Sequence, residues 1–219
     1  MKKPHNKQPW PTKEVMIQVY ENNLWGGEEA LFYSGLGSHH PAVVQPYLEV
    51  VSQLLQTSST PPVVCDLGCG DFNVGKELVP YAKHYHAIDI VPDLIAHHKR
   101  TFTADNLSFY TLDIAKDELP GGTVALVRQV LQHLSNAEIE AIVEKLYQFT
   151  YVILTEHLPE GSFIPNVDIL SGQGTRLKKN SGVDLLAAPF HLNVTAANEV
   201  LSIPSPHYKG RLVTTVYTL

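Results

Sequence analysis

The sequence predicts an α/β fold built around one mostly parallel sheet. Three observations carry this. Short apolar runs rich in branched residues alternate with helix-like stretches from Val63 to Thr155. Three of those runs end in an aspartate. The chain then closes on two strand-like runs separated by the turn-forming Pro204-Ser205-Pro206. Strands that alternate with helices need crossover connections, which set the strands parallel and cover both faces of the sheet.

Taken in order, residues 1–12 read as a loose tail. Val15, Met16, Val19 and Tyr20 recur at helical spacing within Lys13–Asn23, and Pro41 suits the first turn of a second helix over Pro41–Gln56. Between them Leu24–His40 is a loop rich in glycine and aromatics. After a break at Ser58–Pro62 come a strand Val63–Leu67, a helix Asn73–Lys83, a strand Tyr85–Ile90 and a helix Pro92–Phe102. Strands Leu107–Leu112 and Val124–Val130 follow, then a helix Ser135–Phe149 capped by Ser135 with Glu138 three residues on, and a strand Tyr151–Thr155. Residues 156–182 are mostly irregular, Val183–Ala188 is a candidate short helix, and Glu199–Ile203 with Arg211–Tyr217 form a terminal antiparallel pair. Residues 1–58 are expected to form a tail and lid helices, and 59–219 the core, within one structural domain.

Composition narrows the function. The chain has 219 residues, 44% hydrophobic and 17% charged, the profile of an ordinary globular domain. Its 16 basic and 22 acidic residues give a net charge of −6, so no broad cationic field is available for a polyanion and no nucleic-acid partner is expected. Cys65 and Cys69 cannot build a disulfide framework or a four-thiolate zinc site, and the 11 histidines lack paired metal spacing, so no metal is expected. No run approaches the roughly 20 apolar residues of a membrane span. The expectation is a cytoplasmic protein, with a homodimer as one open assembly.

The chemistry is concentrated between Val63 and Asp113. Val63-Val64-Cys65-Asp66-Leu67-Gly68-Cys69-Gly70 puts an acid and two glycines at a strand's carboxyl end, before a helix, where ligands bind in open α/β sheets. Asp89 ends the next strand, about 20 residues on, the distance at which an acid reaches ribose hydroxyls. Asp113 ends the third. Each acid alone has a plain explanation as a cap or turn former. Three together at successive strand tips call for a polar, nucleoside-bearing ligand, since carboxylates beside a dry sheet need partners.

In these residues the chain resembles the class I S-adenosylmethionine-dependent methyltransferases, whose first motif reads acid-x-Gly-x-Gly-x-Gly; the likeness runs over roughly residues 60–156. The resemblance implies their Rossmann-like seven-stranded fold, mostly parallel with a terminal antiparallel hairpin, and S-adenosyl-L-methionine as cofactor. It implies that Gly68, Cys69 and Gly70 border the methionine part of the donor with Asp66 near its ammonium. Asp89 and Ile90 would meet the ribose, Asp113 and Ile114 the adenine, and Arg128 and Gln129 the cavity beneath the donor. One departure is Phe72, which stands where the third glycine belongs. The dehydrogenase pattern Gly-x-Gly-x-x-Gly also fails, because its third position is Asn73.

Methyl transfer is an in-line displacement whose demands are alignment and exclusion of water, with a histidine as the usual base if a proton must leave. His133 after the fourth strand and His157 beside Glu156 after the fifth are the candidate catalytic residues; His191 reads as structural. Trp25-Gly26-Gly27 and Phe32–His39 have the composition of a lid, with Tyr33 expected against the donor. The insert Asp168–Gly182 is expected to choose the acceptor through Arg176 or Asn180. The expected function is methyl transfer to N or O of a small-molecule acceptor. The alternative is a catalytically silent donor-binding subunit.

Overall fold

The computed structural model describes residues 10–27, 29–206 and 209–219. The tail expected at the N-terminus lies, up to Pro9, outside the described residues. Helix α1 (Thr12–Glu21) buries Met16, Val19 and Tyr20, one stripe at intervals of three and four. Helix α2 (Pro41–Leu55) starts with Pro41 in its first turn and with His40 Nδ1 accepting the Ala42 N–H at 3.2 Å. It buries Val43, Tyr47, Val51 and Leu55.

The alternating region gives β1 (Val63–Leu67), α3 (Gly75–Leu78), β2 (His84–Asp89), α4 (Pro92–Thr101), β3 (Leu107–Thr111), β4 (Val124–Arg128), α5 (Asn136–Leu146) and β5 (Tyr151–Leu158). The hairpin is β6 (Ala196–Pro204) and β7 (Arg211–Thr218). Together they make a seven-stranded sheet of order β3-β2-β1-β4-β5-β7-β6, parallel through β5 and antiparallel at β7 and β6. Successive strand residues face opposite layers. Cys65, Leu67, Val127 and Leu154 pack with Ile139, Ile142 and Leu146 of α5. Val64, Tyr85, Leu126 and Ile153 pack with Tyr47 and Val51 of α2. From β1 the chain winds outward to β2 and β3, then returns to β4 on the other side. That reversal opens a crevice at the carboxyl ends of β1 and β4, the switch point where α/β sheets bind ligands.

Two expected helices come out differently. α3 is a single turn followed by the short turn Val79–Tyr81 rather than a helix over Asn73–Lys83. The backbone N–H of Asn73 is drawn to Asp71 Oδ1 at 3.1 Å and its side chain to the Ser38 carbonyl at 2.8 Å, while Pro80 has no N–H to extend the helix. Residues 183–188 form no helix, because Asn166 Nδ2 donates to the carbonyls of Asp184 (2.8 Å) and Ala188 (2.9 Å) and Asp184 Oδ1 accepts the Leu186 N–H. Within 156–182, β5 continues to Leu158 and Arg176–Lys179 makes a short turn. Among the described residues no helix is long and apolar enough to cross a membrane.

Candidate active site

At the switch point lies a cavity of about 640 Å³, within the roughly 300–1,000 Å³ of small-molecule sites. The loop after β1 forms its floor. Gly68 and Gly70 sit at φ +95° and +54°; a Cβ on Gly68 would collide with a Val130 methyl, and one on Gly70 would stand 2.5 Å from Ser34 Oγ. Glycine is therefore required twice, by conformation and by space. Phe72, the departure from the glycine motif, keeps a glycine-like φ of +63°. That conformation costs about 1–2 kcal/mol for an L-residue. It is offset by complete burial of the ring against Tyr85, Phe102 and Phe109.

Asp66, Cys69, Asp89, Ile90, Asp113 and Ile114 all line this cavity. Tyr85 donates its hydroxyl hydrogen to Asp66 Oδ2 at 2.9 Å, yet burial pushes the Asp66 carboxyl up to about 7. Burial likewise raises Asp89 to about 6 against the backbone N–H groups of Val91 (3.0 Å) and Gly70 (3.1 Å) that it accepts. Burial outweighs what the Tyr85 hydroxyl and the more distant Arg128 guanidinium do for Asp66, and neither carboxyl has a cation within salt-bridge reach. A cationic, hydroxyl-bearing ligand such as an adenosyl sulfonium with an ammonium group fits them, and the glycines leave it room. Asp113 is half-buried, accepts the Ala115 N–H at 3.0 Å and pairs with exposed Lys116 at 2.8 Å. Among the described residues no group of three or more His, Cys, Asp or Glu side chains could hold a metal.

Two residues that sequence reasoning passed over hold the floor in place. Asp71 accepts the Ser34 N–H at 2.7 Å and pairs with His39 Nε2 at 2.6 Å, while its own N–H donates to Ser34 Oγ at 2.8 Å. The Ser34–His39 segment is thereby clasped over the glycine loop. His98, 1% exposed, donates Nε2–H to the Gly70 carbonyl at 2.7 Å from the core side of α4. Asp71 stood inside the motif, and His98 falls on the apolar stripe of α4 with Leu94 and Ile95; both signals were in the sequence.

At the end of β4, Arg128 and Gln129 line the cavity. The Arg128 guanidinium donates to the Gly37 carbonyl and to Ser38 Oγ (3.3 Å) and lies 4.8 Å over the Tyr47 ring. Gln129 takes φ +55°, with its N–H on the Thr155 carbonyl at 2.7 Å. His133 and His157 also line the cavity. Burial drives His133 down to about 4; its Nδ1 faces the Gly174 carbonyl at 3.2 Å and its ring lies 5.2 Å from Trp25. Burial lowers His157 as well.

Four expectations about this region are corrected. His157 and Glu156 form no dyad, because adjacent strand residues point to opposite faces. The Glu156 carboxylate instead accepts the N–H groups of Leu131 (3.0 Å) and Gln132 (3.1 Å), and burial raises it to about 8. Arg176 is 1% exposed and donates to the carbonyls of Val167, Leu131 and Leu134 and to Asn136 Oδ1, so it staples the insert to α5 rather than facing an acceptor. Exposed Asn180 takes a left-handed turn conformation outside the cavity lining. Tyr33 is also outside the lining; its ring stacks on His39 at 4.4 Å, and its neighbour Ser34 makes the contact with the glycine loop.

A seven-stranded sheet of this order, parallel but for its terminal antiparallel hairpin, is the fold of the class I methyltransferases. Residues 64–150 match the sequence model of a methyltransferase domain. No curated protein matches the sequence significantly. Among solved structures, the N-methyltransferase NodS from Bradyrhizobium japonicum WM9 in complex with S-adenosyl-L-homocysteine superposes with a TM-score of 0.65 at 13% identity, covering 93% of this chain and 98% of that one. Magnesium protoporphyrin IX methyltransferase (ChlM) from Synechocystis PCC 6803 with bound S-adenosylhomocysteine gives 0.59 at 15%, covering 95% and 100%. Human N-acetylserotonin methyltransferase with S-adenosylmethionine gives 0.55 at 16%, covering 95% and 60%. At these identities the likeness is one of fold.

Proposed function

We propose that the protein transfers a methyl group from S-adenosylmethionine to an N or O atom of a small-molecule acceptor. The observation that carries this reading is a single cavity in which the glycine loop and three strand-tip carboxylates continue past β4 into space bordered by Arg128, Gln129 and His157. The fold and the matched domain support the donor, and the structural neighbours crystallised with it or its product support it further.

Bound donor supplies an electrophilic methyl carbon on a sulfonium. Asp66 would meet the ammonium, Asp89 with Ile90 the ribose, Asp113 with Ile114 the adenine, and Gly68, Cys69 and Gly70 the methionine chain. The Ser34–His39 clasp and the N-terminal helix exclude water, so the acceptor lone pair is held in line rather than solvated. His133 and His157, both kept neutral by burial at the cavity wall, are the two groups that would take the acceptor's proton.

The test is transfer of label. Purified protein with methyl-labelled S-adenosylmethionine and a small-metabolite extract is expected to label a low-molecular-weight product. Donor binding with no label in any pool is the behaviour of a silent donor-binding subunit and contradicts the proposal.

A further inference from the structure

The two sides of the cavity carry opposite charge. The lining acids Asp66, Asp71, Asp89 and Asp113 all belong to β1, β2, β3 and the loops that follow them, the side that suits a cationic donor. The lining cations Arg128, Lys178 and Lys209 come from β4, the insert after β5 and the β6–β7 connection. The one described lining acid beyond β4 is Glu138, and its carboxylate is already engaged by Thr12, Ser135 and Ser171.

Arg128 is the informative member. Arg176, the other deeply placed arginine, is fully met by three carbonyls and an amide oxygen. Arg128 has the Gly37 carbonyl, the Ser38 hydroxyl and the face of the Tyr47 ring. It forms no ion pair with any described carboxylate, and its Nε finds no partner. The neighbouring Gln129 Nε2 is unpartnered too. Burial works against the Arg128 charge, and Asp66 and Asp71 support it only from a distance, with no described carboxylate within salt-bridge reach. An arginine retained in that state at the wall of a ligand cavity is accounted for by an anion that arrives with the ligand.

Resting on the methyl-transfer reading above, we propose that the acceptor is a small molecule bearing an oxyanion, a carboxylate or a phosphate ester, docked on Arg128. Lys178 and Lys209 add a field of the same sign at the rim, and the acceptor's N or O nucleophile is turned toward the donor on the acidic side. Opposite charges on acceptor and donor, each facing its own wall, set the order of the two molecules along the cavity without further contacts.

A small-metabolite extract is split at neutral pH on a strong anion-exchange resin, and each pool is incubated with the protein and methyl-labelled donor. Label is expected in the retained pool. Prior phosphatase treatment distinguishes the sources: activity that survives marks a carboxylate, activity that is lost a phosphate ester. Arg128→Gln should raise the KM for the retained pool by about tenfold or more, while any change in the Kd for S-adenosylhomocysteine through the loosened Gly37–Ser38 contact should be matched within about twofold by the change for 5′-methylthioadenosine. Label in the flow-through, or in neither pool although S-adenosylhomocysteine binds, overturns the proposal. So does an Arg128→Gln protein that loses affinity for S-adenosylhomocysteine but not for 5′-methylthioadenosine, because the anion on Arg128 would then be the donor's own carboxylate. Failure of wild type to bind S-adenosylhomocysteine at all sinks the methyl-transfer reading instead.

Discussion

Along β1, β2 and β3 the cavity is bordered by residues that leave a regular sheet at one level: Asp66, Asp89 and Asp113 each stand at or just past a strand end. The opposite border is drawn from segments far apart in the chain, with Trp25 and Gly37 from the N-terminal part, Arg128 and Gln129 at the end of β4, Thr175, Leu177 and Lys178 from the insert, and Lys209 near the hairpin turn. The first border is fixed by the sheet itself. The second depends on side chains such as Arg176 and Glu156 that hold one irregular segment to another. Substitutions in the two regions should therefore fail differently: on the donor side through ligand affinity, on the other side through assembly of the wall.

The largest effect should come from Gly68→Val. The valine meets the Val130 side chain and must adopt φ +95°, so donor affinity should be abolished, with a loss of at least about 2 kcal/mol in stability. Calorimetry with S-adenosylhomocysteine and thermal melting together check this. Arg176→Met comes next. It leaves the carbonyls of Leu131 and Leu134 without their donor and should cost about 3 kcal/mol of stability, read as a lowered denaturation midpoint. If Arg176→Met were fully stable and changed only acceptor KM, the division drawn between the two regions would be wrong.

The acids make the comparison sensitive to pH. Asp66 and Asp89 have folded values of about 7 and 6, above the ordinary aspartate value of 3.8. Neutral forms are thus favoured by the unliganded fold. That contribution to stability is fully present below about pH 4 and is lost as pH rises through the folded values. A cationic donor needs the ionised forms, so its affinity should move the other way, weakening by up to about tenfold per pH unit between 7 and 6 and by up to about a hundredfold per unit below 6, where both acids are protonated. Titrations between about pH 5 and 8 should show opposite slopes for the unliganded melting temperature and the donor affinity, and Asp66→Asn should flatten both. His98→Phe is the mildest change. The ring still fits among Phe72, Phe102 and Phe109, but the bond to the Gly70 carbonyl is lost, so affinity for S-adenosylhomocysteine should fall by about tenfold with little change in melting temperature. His98→Gln, which can still donate, should recover part of it.

The same contrast explains what could be read before the fold was known. All seven strands were legible because each is a short apolar run whose period and flanking turns are local. Asp66, Gly68, Gly70, Asp89 and Asp113 were legible for the same reason: strand ends bring them together by topology alone. Arg176 and Glu156 were not, since three of the four Arg176 partners lie 40 to 45 residues away in sequence and those of Glu156 24 to 25. Spacing carries no information about such pairs. Tyr33 was misplaced by one residue of a loop, where nothing periodic says which of two neighbours turns inward. Helix α3 was overextended because Asp71 takes the Asn73 N–H at the point where a helix would begin, a local competition that apolar periodicity does not report.

The claim on which everything else depends is that the carboxylate-tipped crevice holds an adenosyl sulfonium compound through Asp89. Isothermal titration of the purified protein with S-adenosylhomocysteine tests it most directly. The account predicts a saturable heat for wild type and its loss, or a weakening of at least about tenfold, in Asp89→Ala. Equal heats from the two proteins, or no heat from wild type, would contradict it.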